Sequence, residues 1–319
     1  MLLLIFALIG SVLAQAAAPQ RDSLVVTLLG TGTPNPRIER MGPSTLIEAG
    51  GKRLVFDVGR GTVIRLEQAG VRPGSITAVF LTHLHSDHTV GLPDLWLTGW
   101  LPPFGGRTTS LRVIRPTGTR ELVRGLEIAF TGDVRMRTQE ERLPATGIVL
   151  EAMEFGREMT VFDEGGVRVN AFEVDHGGAL KPAYGYRISY GGRTVVISGD
   201  TRYSENLIRH AAGADVLLHE VAMAPKEMTS QKAVQFILSH HTSPTEAARV
   251  FATAKPRLAV FTHFAFPPNR QGSSSSADGV IAEASQHYRG RMVTGEDLMR
   301  IVIADTIDVQ RADRQSSTR

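Results

Sequence analysis

The stretch "ITAVFLTHLHSDHTVGLPDLW", residues 76–96, opens as the apolar run of a buried strand. It ends in three histidines and an aspartate within six positions: His83, His85, Asp87 and His88. The chain has only ten histidines. One histidine alone is most often a hydrogen-bonded structural residue. Three this close gain nothing in a solvated loop, and buried together they leave several ring nitrogens needing partners. A metal ion supplies that partner. On an extended segment His83 and His85 point to the same side. The chain then turns, and Asp87 and His88 can face a second position.

Further candidate ligands stand where other predicted strands end. "FEVDHGG" places His176 after a strand, "VVISGDT" does the same for Asp200, and "AVFTHF" for His263. Taken alone, Asp200 also reads as a turn residue capping a helix. Ligands at strand ends converge on one edge of a sheet, where α/β proteins place their sites. The pattern predicts two divalent cations ~3.5–4 Å apart. His83, His85 and His176 would hold the first, Asp87, His88 and His263 the second, and Asp200 would bridge them. There is no cysteine, so thiolate ligands and disulfides are excluded and the donors are imidazole and carboxylate. Zinc is the first choice for such a set, with manganese and iron as alternatives.

Strands and helices alternate along the chain. "SLVVTLLGTGTPNP" reads as a strand ending in a glycine-rich turn, and "STLIEAGGKRLVFDVG" as two strands about a tight turn. "GTVIRLEQAG" reads as a helix, and "DHTVGLPDLWLTGW" as a short helix or broken turn. The middle, about 105–170, is less regular, with strand candidates in "LRVIRP" and "GVRVNAFEV". "AYGYRISYGGRTVVISGD" is a hairpin about Gly-Gly. "SENLIRHAAGA" and "SPTEAARVFATA" read as helices, "DVLLHE" and "PRLAVFTHF" as strands, and "GSSSS" at 272–276 as a flexible loop. A mixed sheet flanked by helices is expected.

The 319 residues are 42% hydrophobic and 21% charged, enough for one large α/β domain or two small ones. No repeat or composition break marks an internal boundary. Thirty-five basic residues against 32 acidic give a net charge of only +3. The arginines between Arg107 and Arg157 are scattered rather than striped, so charge gives a nucleic-acid partner little support. "MLLLIFALIGSVLAQAAAPQ" reads as an apolar leader with small residues at its end, giving a signal peptide over 1–18 and a periplasmic or secreted location. It lacks a basic start, which leaves an uncleaved anchor as the alternative, and it is short for a membrane span. The domain would occupy 21–309, and residues 310–319 a disordered tail.

With the later His, Asp and His, "THLHSDH" resembles the metallo-β-lactamase-fold hydrolases. "LLGTGTP", "FDVGRGT", "SGDTR", "LLHE" and "HTSPTEAARV…VFTHF" are similar to the ribonuclease Z and arylsulfatase-like branch. The likeness runs from about Leu24 to Ala304. It implies a four-layer αβ/βα sandwich with the two-metal site at one edge, and a role for Asp57 in accepting the second N–H of ligand histidines. It also implies that His241 sits beside the leaving group and that Glu220 orients it, while His240 and His219 stay uninvolved.

The fold hosts many reactions, and three features narrow them. A bridging Asp200 disfavours β-lactam hydrolysis, because β-lactamases of this fold lack it. His241 fits a leaving-group acid. His176 and Asp200 are only 24 residues apart, which leaves no room for the RNA-clamping arm of transfer-RNA-processing relatives. The expected activity is hydrolysis of small phosphodiesters or aryl sulfate esters. A bridging hydroxide would be the nucleophile, His241 the acid, and Asp87 a holder of the water's proton. A ribonuclease Z-like endonuclease, a lactonase-like hydrolase and a non-catalytic metal-binding scaffold are the alternatives. Small-molecule esters would be the partners, nucleic acid is disfavoured, and the resemblance leaves a homodimer open. Lys181 and Tyr184 are candidate contacts to an anionic substrate. Trp96, Trp100 and Phe104 read as core in preference to an aromatic lip.

Overall fold

The computed structural model describes residues 23–178, 181–267 and 275–312. The chain forms β1 (Leu24–Gly30), β2 (Ser44–Ala49), β3 (Lys52–Phe56), α1 (Thr62–Gln68), β4 (Ala78–Phe80), α2 (Ser86–Thr89), α3 (Leu92–Trp100), β5 (Leu111–Pro116), α4 (Thr119–Ala129), α5 (Thr131–Gln139) and β6 (Leu150–Phe155). It continues with β7 (Met159–Glu164), β8 (Val167–Val174), β9 (Ala183–Tyr190), β10 (Arg193–Ile197), α6 (Glu205–Ala211), β11 (Val216–Ala222), α7 (Lys232–Leu238), α8 (Pro244–Ala254), β12 (Leu258–Ala265), α9 (Ala277–Ala284), β13 (Met292–Thr294), β14 (Arg300–Ile303) and β15 (Ile307–Gln310).

These strands make two mixed sheets rather than one. The first has the order β15-β14-β1-β2-β3-β4-β5-β6 and the second β13-β12-β11-β10-β9-β8-β7. Each sheet is antiparallel toward one side and parallel toward the other. β3 to β6 run parallel in the first, and β10 to β13 in the second.

Strand alternation explains the layering. In β3, Leu54 and Phe56 enter the core between the sheets while Val55 packs under the helices of the first sheet. In β12, Leu258 and Val260 face the other sheet while Ala259 and Phe261 meet the helices of the second. Strands covered on both faces read as near-continuous apolar runs, which is why "ITAVFLT" and "PRLAVFTHF" carry so few polar residues. Helices α1, α3 and α4 cover the first sheet and α6, α8 and α9 the second, giving the four-layer αβ/βα sandwich.

The irregular middle is where the sequence reading falls short. Residues 119–139 form α4 and α5, and β6 and β7 follow. No side chain caps α4 locally; its N-cap is Gly118 at φ +101°. The Glu154 carboxylate instead accepts the Gly118 and Arg120 backbone N–H groups at 3.0 and 2.9 Å. A cap 34 residues downstream leaves no local start signal. α5, "TGDVRMRTQ", buries no residue and so shows no apolar stripe.

Three boundary readings fall in or near the undescribed segments. The leader at 1–18 lies outside the described residues, as do residues 313–319. The expected tail start at 310 falls inside β15, where Gln310 pairs with Arg300 across the hairpin. Ser276, at the end of the "GSSSS" loop, caps α9 by accepting the Gly279 N–H at 3.1 Å. No helix among the described residues is long and apolar enough to cross a membrane.

Candidate dimetal site

The candidate ligands meet at the C-terminal edge of the parallel strands. β4 leads into the loop carrying His83 and His85 and into α2 with Asp87 and His88, β8 into His176, and β10 into Asp200. His263 belongs to β12 itself, and a local irregularity aims it. Glu220 pairs with Thr262 and Val221 with Phe264, so His263 is an extra, unpaired residue with φ +44°. A bulge of this kind re-aims a side chain at a sheet edge. The strained backbone is held by the parallel partner β11.

Asp200 is the centre. Its Oδ2 lies 3.8 Å from His83 Nε2, 3.7 Å from His176 Nε2, and 3.4 Å from both His88 Nε2 and His263 Nε2. His85 Nδ1 sits 2.9 Å from His83 Nε2 and 3.4 Å from His176 Nε2. On the other side Asp87 Oδ2 is 3.4 Å from His263 Nε2 and 3.6 Å from His88 Nε2. The seven side chains therefore divide into His83, His85 and His176 on one side, Asp87, His88 and His263 on the other, and Asp200 between. This is the division expected from the spacing.

The group fits two cations better than it satisfies itself. His88 Nε2 is buried and makes no hydrogen bond, although the Asp87 and Asp200 carboxylates and the rings of His83 and His263 crowd around it. Burial alone would lower the His88 pKa, but Asp200, Asp57 and Asp87 raise it well above the ordinary value. That excess of carboxylate is what bound cations would neutralise. Burial alone would raise Asp200, but His263 and His88 hold it well below the usual carboxylate range. Burial pushes His83, His85 and His176 down, so they stand as neutral rings with a lone pair to give, the form a metal requires.

Behind the ligands, fixed acceptors set the ring orientations. Asp57 Oδ2 lies 2.8 Å from His88 Nδ1, and the same carboxylate accepts the Thr82 backbone N–H at 2.8 Å. Thr82 Oγ1 donates to Asp57 at 2.9 Å and lies 3.0 Å from His83 Nδ1. Asp57 thus orients two arms of the loop, one directly and one through Thr82, which the sequence reading overlooked. His176 Nδ1 lies 2.8 Å from the His240 carbonyl oxygen. His240 was expected to stay uninvolved, yet its backbone orients a ligand. No sequence signal marks a backbone carbonyl.

His241 comes beside this cluster, its ring centroid 5.0 Å from that of His176 and 5.6 Å from that of His263. Its Nδ1 pairs with Glu220 Oε2 at 3.1 Å. Burial alone would lower its pKa, but Glu220 outweighs burial and raises it to about 9. Glu220 is itself held by the Thr242 backbone N–H at 2.9 Å. His241 also lies within reach of Asp200 and His263 as a further ligand group, with Nε2 as its free ring nitrogen. His219 is fully buried against Phe251, away from the cavity.

A cavity of about 300 Å³ opens over the cluster. Neither Lys181 nor Tyr184 lines it. Lys181 is exposed and borders a separate hollow with Glu158 and Glu173. Tyr184 is 1% exposed, because strand alternation in β9 turns it into the core between the sheets. Neither residue is placed to contact a substrate at this cavity. Trp96 and Trp100 are likewise core, with Nε1–H groups donating to the Ile148 and Pro144 carbonyls at 2.7 and 2.9 Å.

Comparison with known proteins agrees with this geometry. The family described as "Beta-lactamase superfamily domain" matches residues 52–264. The chain is 36% identical to Ribonuclease Z of Mycobacterium marinum over 281 residues, covering 87% of this chain and 98% of that one. It is 34% identical to Ribonuclease Z of Mycobacterium avium over 279 residues, with coverage of 87% and 98%. The fold matches the metallo-β-lactamase fold protein YhfI of Bacillus subtilis with a TM-score of 0.66 at 19% identity, covering 88% of this chain and all of that one. It matches human tRNase Z, short form, with a TM-score of 0.62 at 24% identity, covering 88% and 98%. A metal-ready cluster at the edge of a four-layer sandwich, and this likeness along nearly the whole chain, lead to one conclusion: the protein belongs to the metallo-β-lactamase superfamily and is a hydrolase-type homologue of ribonuclease Z.

Proposed function

We propose that the protein is a zinc-dependent phosphodiesterase and that RNA, as cut by the ribonuclease Z relatives, is its substrate. The carrying observation is the His241–Glu220 pair beside Asp200 and His263. A ribose oxygen is a poor leaving group and must be protonated as the P–O bond breaks, whereas an aryl oxide leaves with little help. An acid fixed at this position therefore favours an alkyl phosphodiester over the aryl sulfate esters that the sequence reading set beside small phosphodiesters.

His83, His85, His176, Asp87, His88, His263 and Asp200 would hold two cations, which would supply acidification of water and neutralisation of charge on the phosphate oxygens. The remaining work belongs to the chain. Asp87 accepts the proton of the attacking water. Glu220 keeps His241 protonated and oriented through Nδ1, so that Nε2 can deliver a proton to the departing oxygen. Asp57, Thr82 and the His240 carbonyl fix the ligand rings, so little reorganisation accompanies the reaction.

A second reading, small phosphodiesters, rests on a separate observation. Only the hairpin of β9 and β10 lies between His176 and Asp200, with no protruding arm to grip RNA. Nor do α4 and α5 substitute for one: residues 119–142 carry five arginines and five acids, a balanced surface with no cationic track. A periplasmic or extracellular location, proposed from the leader, belongs with this second reading, because precursor transfer RNA is processed in the cytoplasm.

Metal-loaded protein assayed on precursor transfer RNA, bis(p-nitrophenyl) phosphate and p-nitrophenyl sulfate separates these readings. Site-specific cleavage of the RNA is expected. Turnover of the small diester with the RNA left intact would replace the first reading by the second. Preference for the sulfate ester would remove both.

A further inference from the structure

The candidate ligands His85, Asp87, His176, Asp200 and His263 form the floor of the cavity, but its mouth has a different character. Beyond the ligands and His241 it is lined by Pro34, Phe236, Ile237, Ala265 and Phe266, with Thr33, Asn35 and His240. No lysine or arginine is among them. Among the described lining residues, charged groups farther along a substrate find no lysine or arginine, whereas a flat apolar group finds the phenyl rings of Phe236 on α7 and Phe266 just after β12.

Phe236 is 63% exposed, although it sits on α7, whose Val234 is buried. Its ring packs on the His240 imidazole, with centroids 4.2 Å apart and planes 36° apart. His241 follows His240 directly, so Phe236 flanks the leaving-group side of the cluster. Phe266 follows His263 by three residues, and its carbonyl accepts the Asn35 side-chain N–H at 3.1 Å. That bond ties the loop after β1 to the end of β12 and fixes one wall of the opening. At about 300 Å³ the cavity stands at the small end of ligand pockets (~300–1,000 Å³), with room for one nucleotide-sized group rather than a length of chain.

We propose that Phe236 and Phe266 form an aromatic clamp for a planar ring on the leaving-group side of the scissile phosphate, a nucleobase or a simple aryl group, and that this clamp sets substrate preference. The inference rests on the phosphodiesterase reading for the position of the phosphate. An exposed phenyl ring offers a face to any base, so the clamp selects for the presence of a ring more than for its identity. The imidazole of His240 backs Phe236 and limits its rotation.

The test is calorimetric binding to metal-loaded protein, with methyl phosphate, phenyl phosphate and uridine 3′-monophosphate as probes. All three present a phosphate monoester; two add a ring. Phenyl phosphate and the nucleotide are expected to bind about tenfold tighter than methyl phosphate, in line with base–aromatic stacking. Phe236→Ala should bring that ratio near one, Phe236→Trp should keep it, and Phe266→Ala should reduce it. A gain for phenyl phosphate alone assigns the clamp to simple aryl groups, a gain for the nucleotide alone assigns it to nucleobases, and a gain for both assigns it to planar rings of either kind. Equal binding of all three probes to the wild-type protein, or a ratio unmoved by either alanine variant, overturns the clamp. Ring-selective binding without hydrolysis of any diester would sink the proposed activity and leave the clamp standing, and the reverse result would sink the clamp alone.

Discussion

His83, His88, His176, Asp200 and His263 in the cluster beneath the cavity are each no more than 4% exposed, whereas Phe236 at the mouth is 63% exposed. Every floor side chain answers to several constraints at once. His88, for example, is held by Asp57 on one ring nitrogen and faces Asp200 and Asp87 with the other. Phe236 answers to one ring contact and the helix that carries it. The cluster is fixed by many contacts at once, the rigidity that a metal-binding set requires. The mouth is held by fewer contacts, and the proposed clamp assigns preference among substrates to it.

Replacing Asp200 should break the floor most severely. Asp200→Ala removes the oxygen shared by both halves, leaving the four imidazoles around it without their common counter-charge. Metal content should fall below two per chain by elemental analysis, and kcat should drop at least about a thousandfold, the upper range for losing one electrostatic stabiliser. His241→Ala should cost about 10²–10⁴ in kcat while metal content stays at the wild-type value. Its effect should be smaller on p-nitrophenyl esters than on RNA, since the aryl oxide needs less protonation. An equal loss on both substrates would contradict the acid assignment.

Asp57→Asn leaves the floor in place but loosens it. A loss of about 10–100-fold in metal affinity is expected, read by chelator competition. At the mouth, Phe236→Ala should change stability by less than about 0.5 kcal/mol, as for other surface substitutions, in a denaturant titration. A change as large as that of a core residue would show that Phe236 supports the fold and is not free to serve substrate.

The pH profile separates floor from mouth most finely. Glu220 raises His241 to about 9 in the protein without cations, and bound cations pull this value down. Because the protonated form is the acid, turnover of RNA should fall as pH rises through the His241 pKa. Glu220→Gln removes the raising charge, so the alkaline limb should move to lower pH. For stability the sign is the same: the pair's contribution is complete below the unfolded value near 6.5 and is lost as pH rises through about 9. Substitutions of Phe236 should leave the limb where it is.

Much of the floor was legible in the sequence because metal ligation imposes residue type and spacing together. Three histidines and an aspartate in six positions suit hardly any role but ligation, and each later ligand follows an apolar run that marks a buried strand. The two-sheet architecture was less legible: local patterning predicted a mixed sheet, and only the resemblance implied two. Tyr184 was misplaced because sequence proximity to His176 says nothing about which side of β9 a residue faces, and Lys181 because it says nothing about which hollow a residue ahead of that strand borders. Phe236 gave no signal because an exposed aromatic on a short helix has no periodic pattern.

Composition and spacing by themselves determined the donor set, imidazole and carboxylate without thiolate, and its division into two halves around Asp200. The tertiary structure alone decided how those donors are aimed: the bulge that turns His263 inward, the Thr82 hydroxyl and the His240 carbonyl that orient neighbouring rings, and the distant Glu154 that starts α4. Ligand identity is a property of side-chain chemistry, which a linear chain displays. Aim depends on where distant parts of the chain come to rest, and that is settled only when two sheets close over a shared core.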